Sequence, residues 1–285
     1  MLELIQKQLA AVGIATARID ALAIIEHVSG KNKASILSGD VELTDDQERK
    51  VMQMVERRTS REPLAYLLGS KEFYGRSFFT DKHVLIPRPE SEDMIDLVLE
   101  LNLPTGSEVL DIGCGSGILG ITYYLEVAGR FDLTSPPARA TEDNSDASRT
   151  WLWFGDIDEA ALSIAKRNAR SYEIRAQYCP MDVFGDWRVP AGLVLANLPY
   201  VPKGMQNELT QNNPELACEP EKAIYLPDGL AAYRALFEKV ATTRSKPAIA
   251  TECLSSQKNE LVDIAVSRGY ELHSSKGLCM LFVAR

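Results

Sequence analysis

Residues 109–117 read V-L-D-I-G-C-G-S-G. A β-prone apolar run ends on an aspartate, passes three alternating glycines, and continues into residues 118–125, which carry helical spacing. Strand, glycine loop and helix in that order bring bare backbone close to whatever binds at the C-terminal end of the strand. Gly115-Ser116-Gly117-Ile118-Leu119-Gly120 also satisfies the dinucleotide pattern G-x-G-x-x-G, a weak match by itself. Asp111 speaks against a dinucleotide, because a carboxylate just ahead of the loop repels a pyrophosphate and welcomes an ammonium group.

Outward from this stretch, strand-like runs are expected at Glu108–Asp111, Trp151–Gly155, Leu193–Ala196 and Ala248–Cys253, with helical runs after the first three. The alternation implies βαβ units, and the tail from Gly269 reads as a terminal hairpin. The expected fold class is therefore α/β: a doubly wound, Rossmann-like sheet, mostly parallel, with an antiparallel C-terminal strand. Residues 1 to about 62 read instead as helices: Leu2, Ile5, Leu9 and Val12, then Leu22, Ile25 and Val28, then Val51, Met54 and Val55 recur near helical spacing. Thr44 and Gln47 have the form of a capping box, which starts the last of these helices near residue 45. Between the two regions, runs at Phe73–Thr80 and His83–Ile86 predict a hairpin turning at Asp81-Lys82; Pro87 and Pro89 halt it ahead of an amphipathic helix. Residues 129–149 are polar and Pro-bearing, far longer than the usual connection of roughly 2 to 6 residues, and read as a mobile surface insertion.

Composition narrows the function classes. The chain of 285 residues is 45% hydrophobic and 25% charged, as soluble enzymes are. Its formal charge of −9 disfavours a surface built to neutralise phosphates, so no direct nucleic-acid partner is expected. No apolar stretch reaches the ~20 residues that span a bilayer, and M-L-E-L-I-Q-K has no signal-peptide character, so no membrane partner is expected. Cys114, Cys179, Cys218, Cys253 and Cys279 are odd in number and never form C-x-x-C; no metal knuckle is indicated and a reducing cytoplasm fits.

A ligand with an ammonium, a ribose and an adenine meets the requirement set by Asp111, and S-adenosylmethionine is such a cofactor. Its ribose calls for an acid at the end of the next strand, which Asp156 supplies; Asp158 is better placed as the N-cap of a helix over residues 159–170. After a third strand region, Asp182 in M-D-V-F offers an acceptor for the adenine amino group. The next run ends in A-N-L-P-Y, residues 196–200. There Asn197 and the backbone carbonyl of Leu198 can accept the two N–H bonds of a planar amide or aryl amine and hold its nitrogen in line with a methyl donor. Pro199 confines Leu198 to extended geometry, and Tyr200 can lie flat against the planar group.

N-L-P-Y together with V-L-D-I-G-C-G-S-G resembles the methyltransferases that act on planar nitrogen. R-E-P-L-A-Y-L-L-G (61–69), F-Y-G-R-S-F (73–78) and V-L-I-P-R-P-E-S-E (84–92) resemble the HemK/PrmC family specifically, as do A-L-S-I-A-K-R-N-A (161–169), P-D-G-L-A-A-Y-R (227–234) and T-E-C-L-S-S-Q (251–257). The resemblance implies methyl transfer to the glutamine amide nitrogen in the Gly-Gly-Gln motif of peptide-chain release factors. A monomer in the cytoplasm is expected. It also implies three parts: a helical docking domain over residues 1–70, a hairpin connector over 71–90 and a methyltransferase domain over 91–285. Gly113, Cys114, Gly115, Ser116 and Gly117 would hold the methionine part, Asp156 the ribose, Asp182 with Val183 the adenine, and Asn197 to Tyr200 the target. Leu198 departs from the family's usual Asn-Pro-Pro-Tyr, and Val183 stands where many relatives carry an aromatic residue. N-L-P-Y also resembles enzymes that methylate RNA adenines, which leaves an adenine amino-group methyltransferase and a catalytically silent cofactor-binding protein as alternatives.

Overall fold

A computed structural model describes residues 1–104, 107–130, 152–185 and 191–285, so nearly all of the stretch read as an insertion lies outside the described residues. The chain forms two compact units: Met1–Lys71 with Leu209–Cys218, and Glu72–Glu208 with Glu219–Arg285.

In the first unit lie α1 (Leu2–Ala11), α2 (Ala17–Ser29), α3 (Lys33–Ser38), α4 (Asp45–Thr59) and α5 (Leu64–Leu68). Ile5, Leu9, Ala21, Ile24, Ile25, Val51 and Val55 recur at three- and four-residue spacing and meet in one core, so each helix contributes an apolar stripe to the others. Thr44 caps α4 as the sequence suggests: its hydroxyl accepts the Gln47 N–H, and its own N–H donates to the Gln47 side chain. One cation is buried here. Arg58, 3% exposed, donates through Nε to Asp20 (2.7 Å) and through Nη2 to Glu215 (2.5 Å), tying α4 to α2 and to the returning segment of the same unit.

A two-stranded hairpin, β1 (Ser70–Phe73) and β2 (Arg76–Phe79), follows. Its turn is Tyr74-Gly75, not Asp81-Lys82, and His83–Ile86 is turn and extended chain instead of a strand. Both turn residues have positive φ (50° and 70°), the conformation of a two-residue primed turn, which glycine adopts freely and tyrosine does not. Tyr74 is held there by tertiary bonds: its N–H donates to Glu92 (2.7 Å) and its hydroxyl to Asp96 (2.7 Å). Sequence patterning misplaced the turn because it does not register such bonds.

The second unit is built on β3 (Val109–Ile112), β4 (Leu152–Asp156), β5 (Gln177–Pro180), β6 (Leu193–Ala196), the short pair β7 (Val201–Pro202) and β8 (Tyr225–Leu226), then β9 (Ala248–Glu252), β10 (Tyr270–Lys276) and β11 (Cys279–Ala284). Seven of these form one sheet in the order β10-β11-β9-β6-β3-β4-β5, with β11 antiparallel to both its neighbours and the pairings from β9 to β5 parallel. Strand alternation splits the core into two layers. Val109, Leu193 and Leu195 face α6 (Glu92–Leu99), α7 (Ile118–Arg130) and α8 (Glu159–Ser171), while Leu110, Val194 and Ala196 share the opposite layer. That layer is completed, beyond the linking helix α9 (Gln206–Asn212), by α10 (Ala231–Ala241) and α11 (Lys258–Ser267). The doubly wound fold class expected from the sequence is thus the observed one. Between β3 and β6 the order of strands reverses, and a crevice opens beyond their C-terminal ends.

Arg58 supplies a test of the helical unit. Truncating Arg58→Ala leaves Asp20 buried without its cation and is expected to destabilise the unit by about 3 kcal/mol. Urea unfolding followed by circular dichroism reads this; a loss below about 1 kcal/mol would show that the pair contributes little.

Candidate active site

A cavity of about 320 Å³ occupies the crevice. Ile112 to Ser116 form one wall, Asn197 to Pro199 another, and Asp156 to Asp158 with Met181 to Phe184 the far end. Residues 83–88 close a further side and are pinned by the buried Glu219, which accepts from the Ile86 N–H (3.0 Å) and from Arg88 (2.5 Å).

Gly113 to Ser116 line the cavity, whereas Gly117 is not part of the lining, and a Cβ on it would meet Ala165 at 3.1 Å and Phe154 at 3.2 Å. Gly113 has φ +66°, and a Cβ on it would meet the Leu198 side chain at 2.8 Å. The glycine therefore serves both the turn and the packing of the neighbouring loop. At Gly115 a Cβ would meet nothing within 4 Å, leaving a backbone cradle open on its cavity side.

Asp156, at the end of β4, accepts the Gly115 N–H through Oδ2 (2.9 Å) and the Asp158 N–H through Oδ1 (2.9 Å). Burial pushes its carboxyl up, and the two amide bonds oppose that shift. Its oxygens retain lone pairs for further donors at the rim. Asp158 caps α8 through the Ala160 N–H (2.9 Å) and pairs with Lys222 (2.7 Å). Asp182 is exposed at the far end, where Val183 and the exposed side chains of Ile157 and Phe184 provide an apolar lining.

Besides Gly117, two expected site residues face elsewhere. Asp111 does not line the cavity: strand alternation turns it toward the α6–α8 layer, where it is 1% exposed and accepts the Gly120 N–H (2.9 Å) at the start of α7. Burial pushes its pKa up to about 8. It fixes the glycine loop from beneath, in place of the ammonium contact read from its position in sequence. Tyr200 does not line the cavity either; its hydroxyl donates to Glu252 Oε1 (2.8 Å), and burial beside that carboxylate raises its pKa.

Asn197, half-buried at the end of β6, lines the cavity and donates through Nδ2 to Ser91 Oγ (3.0 Å) and Glu252 Oε2 (3.1 Å). Leu198 is 4% exposed and packs on Gly113, which joins the two loops. Glu252, at the end of β9, is the residue that sequence reasoning missed. It is 1% exposed and also accepts from Ser91 (2.6 Å). The fully buried Tyr233 hydroxyl lies between the carbonyls of Ala196 and Glu252 (3.2 and 2.5 Å), clamping the ends of β6 and β9 together. The available signal was a single acid in T-E-C-L-S-S-Q at the C-terminal end of an apolar strand, on the same rim as Asn197.

The residues present suit S-adenosylmethionine: a glycine cradle open at Gly115, a carboxylate at Asp156 with unused lone pairs, and an apolar slot at Ile157 and Phe184.

Residues 1–69 match the family model of the PrmC N-terminal domain. Over 225 residues the chain is 32% identical to the release factor glutamine methyltransferase of Neisseria gonorrhoeae, spanning 77% of this chain and 73% of that protein. The chain belongs to the release factor glutamine methyltransferase family. The family's Deinococcus radiodurans member is 30% identical over 232 residues, spanning 80% of this chain and 75% of that one. Among solved structures, the hMettl16 catalytic domain shares the fold, with a TM-score of 0.50 and 16% identity over 79% of this chain and 80% of that one. Among the described residues no helix is long and apolar enough to cross a membrane.

In this family member the position of Asp111 has a consequence for stability. The folded pKa of about 8 lies above the ordinary carboxyl value near 4, so the folded state holds a proton that the unfolded chain releases between them. Wild-type stability is therefore undiminished by this group below about pH 4, falls as pH rises toward about 8, and is lowered by a constant amount above. Asp111→Asn keeps an acceptor for Gly120 and removes the charge, so the variant is expected to gain stability over wild type at about pH 8.5 and much less at about pH 5. Melting temperatures at the two pH values measure this; an equal difference at both would rule out titration of Asp111.

Proposed function

We propose that this protein transfers a methyl group from S-adenosylmethionine to the side-chain amide nitrogen of the glutamine in the Gly-Gly-Gln motif of peptide-chain release factors. The observation that carries the reading is that Asn197 lines the same cavity as the glycine loop and Asp156, so an amide acceptor and a cofactor cradle share one enclosure. Family membership names the substrate.

When bound, S-adenosylmethionine supplies an electrophilic methyl on a sulfonium. Gly113 to Ser116 hold its methionine part by backbone, Asp156 accepts from its ribose hydroxyls, and Asp182 with Val183 borders its adenine, beside Phe184. An amide nitrogen is a weak nucleophile because its lone pair is delocalised, and the chain compensates by position. Asn197 Oδ1 accepts one N–H of the target and the Leu198 carbonyl the other, which aligns the nitrogen and stabilises the positive charge that develops on it. Pro199 keeps the Leu198 carbonyl extended, and Tyr200 acts from behind by holding Glu252. The proton leaves after transfer.

The helical unit, which carries the match to the PrmC N-terminal domain, docks the release factor. A net charge of −9 supports a protein substrate over a nucleic acid, and the five free cysteines fit a reducing cytoplasm.

Purified protein is expected to transfer labelled methyl to a release factor and not to one whose Gly-Gly-Gln glutamine is replaced; equal labelling of both rejects the reading. Asn197→Ala should lower kcat by roughly 10²-fold with cofactor affinity nearly intact, whereas Asp156→Ala should mainly weaken cofactor binding. Calorimetry and steady-state kinetics separate the two effects.

A further inference from the structure

Ser91 lines the cavity and Glu252 stands behind it, and both bond Asn197. Glu252 Oε2 takes two donors, Ser91 Oγ–H at 2.6 Å and Asn197 Nδ2–H at 3.1 Å, while Oε1 takes the Tyr200 hydroxyl at 2.8 Å. Ser91 Oγ in turn accepts from Asn197 Nδ2 at 3.0 Å.

A side-chain amide has two faces of similar shape and opposite polarity, and only its partners decide which faces where. An ionised carboxylate can only accept, so the donor end of Asn197 must point at Glu252. The same carboxylate takes the Ser91 proton, which leaves the serine oxygen as a second acceptor for Nδ2. The two acceptors lie close together and draw the nitrogen end of the amide to that side. Oδ1 is left on the other side, where no described donor reaches it. A flipped amide would aim Nδ2 at the cavity and oppose it to any N–H there.

Burial strengthens the constraint. Burial raises the carboxyl of Glu252, and the donors Ser91 and Tyr200 counter that shift and favour the ionised acceptor. Glu90 raises it further and Arg88, itself paired with Glu219, lowers it; Cys279 lies at 3.9 Å, too far for a strong bond.

We propose that Glu252 is a positioning residue: acting with Ser91, it locks the polarity of the Asn197 amide so that the site presents an acceptor and admits only targets that bring N–H. The inference rests on the methyl-transfer reading and goes beyond it by naming what makes Asn197 selective.

Three substitutions test it, with labelled S-adenosylmethionine and a release factor as substrates. Glu252→Gln has one acceptor and one donor end and can close the network in either sense, so part of the population presents Nδ2 to the target. It should lower kcat about tenfold with the KM for S-adenosylmethionine changed less than about twofold. Glu252→Leu, with no acceptor, should approach the roughly 10²-fold loss of Asn197→Ala. Ser91→Ala, which leaves the carboxylate in place, should lose only about threefold.

A double-mutant cycle removes the structural alternative, because melting temperature can fall for many reasons while coupling to Asn197 cannot. If Glu252 acts through Asn197, then Glu252→Gln adds almost nothing once Asn197→Ala is present. The inference is overturned if Glu252→Gln slows turnover by the same factor in both backgrounds, or if Glu252→Gln keeps full kcat. Should Glu252→Leu fail to fold, Glu252→Gln in the cycle decides alone. A slow Asn197→Ala beside a fast Glu252→Gln sinks only this inference; an Asn197→Ala variant with full turnover sinks the methyl-transfer geometry and this inference with it.

Discussion

Between β3 and β6 the chain turns to opposite sides of the sheet, and this reversal is the constraint from which the site follows. Loops leaving adjacent parallel strands in opposite directions cannot cover the gap between them. Here they meet at Leu198 against Gly113, and both line the cavity. Because β3, β6 and β9 are neighbours in register, Asp111, Leu195 and Ala250 lie level with one another, and Asn197 and Glu252 both emerge at the same rim. A shift of one residue in either pairing would send Asn197 or Glu252 to the wrong layer.

Three acids lie at this rim, Asp111 and Glu252 buried and Asp156 half-buried, and their surroundings separate their roles. Asp111 has one amide donor and full burial, so it keeps its proton to high pH and braces the loop as a nearly neutral group. Asp156 has two amide donors and an open side, which leaves oxygen lone pairs for further donors. Glu252 has three side-chain donors and no opening to the cavity, so its charge acts on neighbouring side chains. The number of donors and the side on which they lie, not the acidity of the residue type, decide what each does.

Much of this was legible in the chain. The glycine loop after β3, the asparagine after β6 and the alternation of strands with helices specify the fold class and the rim, because period-2 and period-3.6 patterns are written locally. The Thr44 capping box fixed the start of α4 for the same reason. What local patterns do not carry are long-range bonds. The turn at Tyr74 depends on Glu92 and Asp96, and the environment of Glu252 depends on Ser91, 161 residues away. Proximity in sequence to a ligand loop does not bring exposure to it: Asp111 shares its face of the strand with Val109, one pleat back, and that face is the core.

Leu198 shows how packing can replace a covalent restraint. A proline there would fix φ and remove an N–H; leucine does neither, and alone it would leave the loop freer. Yet its side chain is 4% exposed and fills the space beside Gly113 that a Cβ would occupy, so the loop cannot swing outward without exposing that side chain. Moving a leucine into water costs about 1.5–3 kcal/mol, as much as the entropy that a proline ring removes from the unfolded chain, or more. Pro199 then needs only to set Leu198 to extended backbone, and the carbonyl is held from both sides: by the ring that follows it and by the side chain of its own residue. The restraint has moved from the chain's covalent geometry to a contact between two loops, so the glycine loop and the asparagine loop must move together or not at all.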